Sequence, residues 1–552
     1  MKINKSKIKW VFLLIVISFN IIAIAGCAAL LINPAHYFLW NFFGYIVLLA
    51  LFCNIISAYL SEKYRFFGYL YLSLHIVSML LLPVMNTFAA SGVHNKTSQN
   101  IFVFILYILI FLFGAAAAFF QVKNDFIKRN LAFYKKVKEN KKSDKIKNIM
   151  RWTAVILFSV NFGFGIYAAY IMMGQTRGNM IEVFISEYAV FWGYSMLGIS
   201  LLIKKLLLKY KKFIFDKIIL SAGILIFVIF LIPLFSVPVI IKNADTAFRE
   251  AFGNEYLNNF NNKQNGFMKN PFSLQDYLFG KHTLNYIVKE DVLYYEEPNG
   301  LKLRFDAYMP VSDNFSLKNL NPVLIRIHGG AWTMGDKGFS NYSAANKHFA
   351  NLGYVVFDIQ YGINNQNPSF AGAAVPAAVK GNFDIDDMVR HIGIFTAFLA
   401  DNADTYGADT DSVFISGASA GGQLAIAAAL GITSGRYTDI LDSRLKIKGL
   451  IPFYPANGLS PNVGIGGAPD LVDPGLLAGT KSPPCLIYHG THDGIVPPRI
   501  ATNFKEIYSE KSYAPCALIW MNFSGHGSDI YTAGYYNQIF MYYMERFMHQ
   551  YR

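Results

Sequence analysis

The chain divides into two stretches with unlike patterns. Up to residue 245, apolar residues fall in seven long blocks, at 10–32, 37–60, 66–89, 101–121, 153–173, 181–203 and 218–241. Each is close to the roughly 20 residues that cross the hydrocarbon core of a bilayer. Aromatic residues gather towards several block ends, as interface anchors do. A run this dense cannot be a soluble core, so the pattern predicts an all-α transmembrane bundle of about seven helices. From about residue 283 the pattern changes. Residues 286–297 alternate polar and apolar like a first strand, and 301–309 like its hairpin partner. Short apolar runs then alternate with helical stretches, which predicts a mostly parallel, doubly wound sheet. Between the two, residues 246–282 carry many Asn, Phe and Lys without a period and read as a linker. The expected units are therefore a polytopic membrane region at 1–245, a linker at 246–282 and a catalytic domain at 283–552.

Charge orients the membrane region. Lys2, Lys5, Lys7 and Lys9 precede the first block, and Lys63 and Arg65 separate the second from the third. Eleven Lys/Arg lie at 123–151, between the fourth and fifth blocks, and six more (Lys204, Lys205, Lys209, Lys211, Lys212 and Lys217) around the join of the sixth and seventh. The alternate connections hold only Lys96 and Arg177. This asymmetry places the N-terminus in the cytoplasm, and an odd number of spans then puts the C-terminal domain on the far side. Residues 1–245 hold 26 Lys/Arg against 8 Asp/Glu, so the overall charge of +14 resides in the membrane half. The basic character is thus topogenic, and no nucleic-acid partner is expected.

The candidate chemistry lies in the C-terminal domain. Gly417, Ser419 and Gly421 form a G-x-S-x-G pattern between a β-rich run and an alanine-rich helix, the context in which a serine nucleophile sits on a tight turn. Upstream, an apolar strand ends in His328, Gly329, Gly330, Ala331 and Trp332. The two glycines let main-chain N–H groups approach a developing oxyanion, with the N–H of Ala420 as a further donor. Asp493 and His526 each follow an apolar strand, so a parallel sheet brings them to the same edge as Ser419. His526 is the candidate base and Asp493 its orienting acid. Trp332 is expected near the substrate. His492, His489 and His328 read as loop or core histidines. Asp529 is a weaker rival to Asp493, and Asp404, Asp409 and Asp411 precede the nucleophile strand at the opposite edge.

On these residues, 283–552 resembles an α/β-hydrolase of the esterase/lipase group with an H-G-G-x-W oxyanion loop. Acetylesterase- and feruloyl-esterase-like enzymes are the nearer relatives; kynurenine formamidases and prolyl-oligopeptidase-type peptidases stand further off. The chain order Ser, Asp, His agrees with that group. The resemblance implies a serine carboxylesterase acting through an acyl-enzyme. Two positions depart from the pattern: Ala331 stands where a third glycine is common, and Gly362 where an arginine commonly follows the strand-four tyrosine.

The remaining features add little. Four cysteines in so long a chain make no disulfide framework. Cys485 and Cys516 begin what should be neighbouring strands and are expected as buried thiols. Residues 24–27 match a lipoprotein cleavage box, a tetrapeptide that apolar helices also produce by chance. No metal-site spacing or phosphate loop appears, so neither metal nor cofactor is expected. Within the spans, His75 and Glu187 are the ionisable candidates for a transport role; Glu187 is close enough to a helix end to reach the interface. Residues 454–484 lack the amphipathic helix of a lipase lid, which favours a short acyl group on a glycan, a lipid headgroup or a small ester. An acyltransferase with the same triad, or a domain that binds without turnover, is the alternative. The bilayer is the other expected partner, and oligomeric state is not legible.

Overall fold

A computed structural model of the chain describes residues 5–32, 37–61, 65–95, 99–130, 144–174, 178–207, 215–255, 266–280, 285–298, 300–311, 320–338, 342–366 and 375–552. Lys2, Lys63, Lys96, Arg177, Lys138, Lys209, Lys211 and Lys212 lie outside these residues, as do 367–374 of the loop that follows Gly362.

The N-terminal half is built of α1 (Lys5–Ile32), α2 (Tyr37–Leu60), α3 (Arg65–Ser91), α4 (Ile101–Asn130), α5 (Asp144–Gly174), α6 (Ala189–Leu207) and α7 (Phe215–Phe252). Among the described residues, these seven are long and apolar enough to cross a membrane. Their outer faces expose large apolar side chains such as Ile21, Phe42, Phe88, Val160 and Phe235. Several polar groups turn inward and find partners, because an unpaired polar group in hydrocarbon is costly. Asn20 and Asn54 exchange side-chain hydrogen bonds of 2.7 Å between α1 and α2. Lys205 on α6 donates to the carbonyls of Ala58, Tyr59 and Ser61, closing the C-terminal end of α2. His75 Nε2 lies 3.3 Å from the carbonyl oxygen of Tyr194.

The sixth span differs from expectation. Its helix begins at Ala189, and a separate 3-10 turn, Met180–Phe184, precedes it. The reason is in the side chains: Glu182 and Glu187 are buried against the C-terminal domain and do not reach a membrane interface. Glu187 accepts from the Ser186 hydroxyl, and its carbonyl oxygen accepts from Tyr277 Oη.

Among the described residues the main sheet of the C-terminal domain has eight strands, β1 (Tyr286–Glu296), β2 (Lys302–Pro310), β3 (Asn321–Ile327), β4 (Val355–Ile359), β5 (Ala408–Ala418), β6 (Ile447–Phe453), β7 (Cys485–Gly490) and β8 (Cys516–Met521), beside a short parallel pair of Ile363–Asn364 with Lys380–Gly381. The order is β1-β2-β4-β3-β5-β6-β7-β8. β2 is antiparallel to both β1 and β4, and the other pairs are parallel. Side chains alternate between faces along each strand. Leu486 and Tyr488 face one way, into a core shared with the membrane helices; Cys485 and Ile487 face the other. Helices α9 (Tyr342–Asn351) and α13 (Tyr535–Tyr551) cover the first face, with Phe349 and Phe547 in that shared core. Helices α10 (Ile385–Tyr406), α11 (Ala420–Ser434) and α12 (Pro498–Lys511) cover the second. Cys485 and Cys516 sit in register across β7 and β8 as free thiols.

Contacts between the halves fall at the α1–α2, α3–α4 and α5–α6 connections and along the C-terminal end of α7, where Tyr543 donates to the carbonyl of Ile241 and Gln550 to that of Phe252. Short helix α8 (Leu274–Phe279) wedges among α2 and α4, its Phe279 ring 5.9 Å from Phe43, 5.0 Å from Phe104 and 4.6 Å from Tyr107. Asn41 Oδ1 accepts from its first N–H, that of Leu274. Lys347 on α9 donates to the carbonyls of Ala90, Gly92 and Asn95, and Ser343 to that of Ser91, so the domain caps the C-terminus of α3. Gly178 N–H donates to the carbonyl of Gly494. Segment 266–280 is pinned from the other side by α13: Glu545 accepts from Met268 N–H and Arg546 donates to its carbonyl.

Candidate active site

Ser419 stands between the end of β5 and the start of α11, with φ 56° and ψ −121°. A left-handed φ on a residue with a side chain costs about 1–3 kcal/mol, so the surroundings must hold it. Ser419 N–H donates to the carbonyl of Phe453, and its own carbonyl accepts from Gln423 and Ala456. The flanking glycines are sterically required. A Cβ at Gly417 would stand 2.2 Å from the carbonyl oxygen of Gly421, and one at Gly421 2.3 Å from those of Ile327 and His328. The turn thus packs against the end of β3, the strand that leads into the His328–Trp332 loop.

His526, on the loop after β8, points Nε2 at Ser419 Oγ, 3.0 Å away. Its Nδ1 lies 2.8 Å from Asp493 Oδ2. Asp493 Oδ1 accepts from the N–H groups of Ile495 and Val496 at 3.0 and 2.7 Å, so both carboxylate oxygens are engaged. Asp493 is 3% exposed and His526 8%. Burial alone would lower the His526 pKa; the charge and hydrogen bond of Asp493 outweigh it and raise the imidazole above its ordinary value. The ring of Tyr454 lies 4.5 Å from that of His526, and its hydroxyl donates to Asp529 Oδ1.

The Gly-rich loop after β3 passes directly beside this serine. A Cβ on Gly329 would be 2.7 Å from the carbonyl oxygen of Ala418 and 3.4 Å from Ser419 Cβ. Gly330 has φ 125°, and a Cβ there would meet the Met334 carbonyl at 2.0 Å. Ala331 and Trp332 follow in the left-handed region, at φ 51° and 60°. Trp332 is buried, its Nε1–H donating to Gln423 on α11, which in turn donates to the carbonyl of Leu471. Ala420 begins α11, where the first N–H groups have no partner inside the helix.

Residues 305–460 match the family model BD-FAE. The C-terminal domain has the α/β-hydrolase fold. The chain is 24% identical over 245 residues to the probable carboxylic ester hydrolase LipM of Mycobacterium tuberculosis, covering 39% of this chain and 52% of that protein. It is 27% identical over 165 residues to isoprenylcysteine alpha-carbonyl methylesterase ICME of Arabidopsis thaliana, 30% of this chain and 31% of that one. The chain therefore spans about half or less of the curated relatives it matches. Among solved structures, apo Thermogutta terrifontis esterase 2 aligns at 20% identity and TM-score 0.37, over 48% of this chain and 92% of that one.

Within this α/β-hydrolase domain the rival residues make other contacts, and His489 Nε2 also lies 3.6 Å from Asp493 Oδ2. His328 stacks on Tyr361 at 4.4 Å, and His489 Nε2 faces the carbonyl of Val496 at 2.9 Å. His492 Nδ1 lies against Thr491 Oγ1 and its ring against Phe523. Asp409 and Asp411 sit at the start of β5, where Asp411 pairs with Lys446; Asp404 is in the last turn of α10. Among the described residues no group of three or more His, Cys, Asp or Glu is placed to hold a metal ion. One residue at the site escaped the sequence reading. Glu182, inside a block read as membrane span, is 4% exposed, and its Oε1 accepts from the N–H groups of Gly494 and His526. A carboxylate near the boundary of an apolar block was the available signal.

The elbow geometry predicts a sharp contrast between glycines. Gly421→Ala should abolish active-site labelling and lower the unfolding temperature, because the clash is with main chain of β3. Gly466→Ala, exposed and with nothing within 4 Å of its Cβ position, should leave both unchanged.

Proposed function

We propose that the chain is a membrane-anchored serine hydrolase that cleaves carboxylic esters, preferably of short acyl groups, on the extracytoplasmic side. The observation that carries this reading is the unbroken line from Ser419 Oγ through His526 to Asp493, at 3.0 and 2.8 Å. Ser419 Oγ attacks the ester carbonyl while His526 Nε2 takes its proton, and Asp493 stabilises the imidazolium. The carbonyl oxygen becomes an oxyanion, received by the N–H groups of Ala420 and the Gly329–Gly330 loop. Collapse expels the alcohol, which takes the proton from His526 and leaves an acyl-serine. Water then repeats the sequence and frees the acid. The similarity to LipM and ICME, whose names state ester hydrolysis, supports the reaction class.

Sidedness is supported by where the domain docks. Its contacts fall at the C-terminal end of α7 and at the α1–α2, α3–α4 and α5–α6 connections; those connections carry only Lys96 and Arg177, against the Lys/Arg-rich connections at the opposite ends. Short-acyl preference is supported by 454–484, which folds as three short turns, Ser460–Val463, Pro469–Val472 and Pro474–Leu477, with Leu471 and Leu477 buried in the core. No amphipathic helix is available there as a lid. A bilayer-delivered ester is the second reading, favoured by exposed Met180, Ile181 and Phe184 on the turn beside His526.

A fluorophosphonate probe should label the purified protein at Ser419. Ser419→Ala should abolish labelling and lower p-nitrophenyl ester turnover at least about 10³-fold, with His526→Ala nearly as damaging. Labelling that persists in Ser419→Ala would show a different nucleophile.

A reporter active only outside the cytoplasm should be active when fused after Arg552 and silent when inserted near Lys138. The reverse pattern contradicts the assigned orientation.

Turnover of p-nitrophenyl esters from C2 to C16 should peak at the short end. A maximum at C10 or longer would select the bilayer-delivered ester instead.

A further inference from the structure

The connection between α5 and α6 belongs to a membrane region, yet it reaches the back of the Ser419–His526–Asp493 site. Residues 178–188 run beneath the loops that carry Asp493 and His526. The 3-10 turn Met180–Phe184 is held by Asn179, whose side chain accepts from Ile181 N–H and donates to Tyr167 Oη. From this turn Glu182 enters the C-terminal domain. Its Oε1 accepts from Gly494 N–H at 2.9 Å and from His526 N–H at 3.1 Å. Gly494 is the residue after the candidate acid, and His526 is the candidate base. One oxygen therefore ties together the two loops whose separation sets the imidazole–carboxylate bond. The approach is close: a Cβ on Gly525 would lie 3.1 Å from Glu182 Cβ, and one on Gly527 3.1 Å from Val183 Cγ1.

We propose that Glu182 is a positioning residue for this site, a main-chain hydrogen-bond acceptor supplied by the membrane region that holds the Asp493 and His526 loops in register with Ser419. The proposal rests on the hydrolase reading above. The two loops also have ties of their own: Thr491 N–H donates to the carbonyl of Met521, His492 N–H to that of Ser524, and Phe523 N–H to Thr491 Oγ1. Loss of Glu182 should therefore loosen the register without unfolding the domain.

The carboxylate adds an electrostatic signature. Burial first, and then the charge of Asp493, push the Glu182 pKa up to about 7. Its charge in turn helps to raise that of His526. The titratable groups facing His526 are Asp493 and His489 from β7 and its loop, Tyr454 just after β6, Asp529 on its own loop, and Glu182 with Glu187 behind it from the membrane side. Because Glu182 places negative charge beside the imidazolium, removing it should favour the neutral base and move the acid limb of kcat/KM to lower pH.

The test uses the full chain in detergent, with p-nitrophenyl acetate as substrate and thermal unfolding as a control. Glu182→Ala should lower kcat by roughly 10- to 100-fold, the scale of a small misplacement of catalytic groups, with KM nearly constant. Glu182→Gln keeps an acceptor oxygen of the same reach, so it should restore kcat to within about threefold of wild type while its acid limb shifts downward. Glu182→Ala with wild-type kcat would overturn the proposal. So would a Glu182→Gln variant that unfolds at the wild-type temperature but is as slow as Glu182→Ala. If Glu182→Ala does not fold, the Gln variant decides: kcat within about threefold of wild type supports the proposal, and kcat lowered about tenfold or more at an unchanged unfolding temperature overturns it. A wild-type protein that neither reacts with fluorophosphonate nor turns over ester would instead overturn the hydrolase reading, and this proposal with it.

Discussion

The backbone of Ser419, left-handed at φ 56°, is a conformation that a side-chain-bearing residue adopts only under constraint. The constraint comes from three strands at once. β5 delivers the serine, the end of β6 receives its N–H through Phe453, and the end of β3 closes against Gly421 so tightly that no Cβ fits. Because β3 continues into the Gly329–Gly330 loop, the contact that holds the nucleophile also fixes the candidate oxyanion donors relative to it. The sheet order β4-β3-β5-β6 is therefore part of the chemistry, and a different order would separate these pieces.

A second constraint comes from the ends of the membrane helices. Helix termini carry main-chain groups without intrahelical partners, and the C-terminal domain supplies several of them. Lys347 and Ser343 serve the end of α3. Asn41 works in the other direction, serving the start of α8 from α2. The result is a core that continues from the membrane helices into one face of the sheet, with α9 and α13 between them. The opposite face, under α10, α11 and α12, has its own core. One side of the sheet is thus built against the membrane region, and the other resembles an independent globular domain.

The two halves were unequally legible. The α/β-hydrolase resemblance rested on short motifs with strict local geometry: glycines two residues either side of Ser419, paired glycines after a strand, and polar residues just past strand ends. Such motifs survive translation into sequence because the turn that needs them is only a few residues long. Seven apolar blocks were equally plain, since bilayer thickness sets their length. The boundary of the sixth was not, because residues 181–188 are mostly apolar and their two carboxylates could be read as interfacial.

By itself the sequence determined the apolar helices, the alternation of strands and helices, and the three side chains that meet at 3.0 and 2.8 Å. Only the tertiary structure decided that α6 starts at Ala189, that Glu187 is buried with its carbonyl held by Tyr277, and that Glu182 touches the loops of Asp493 and His526. The reason is the range of the interactions. A hydrophobic period or a glycine turn is encoded within a dozen neighbours. The partners of Glu182 lie 312 and 344 residues away along the chain, and no local pattern marks a carboxylate as the acceptor for main-chain groups that far downstream.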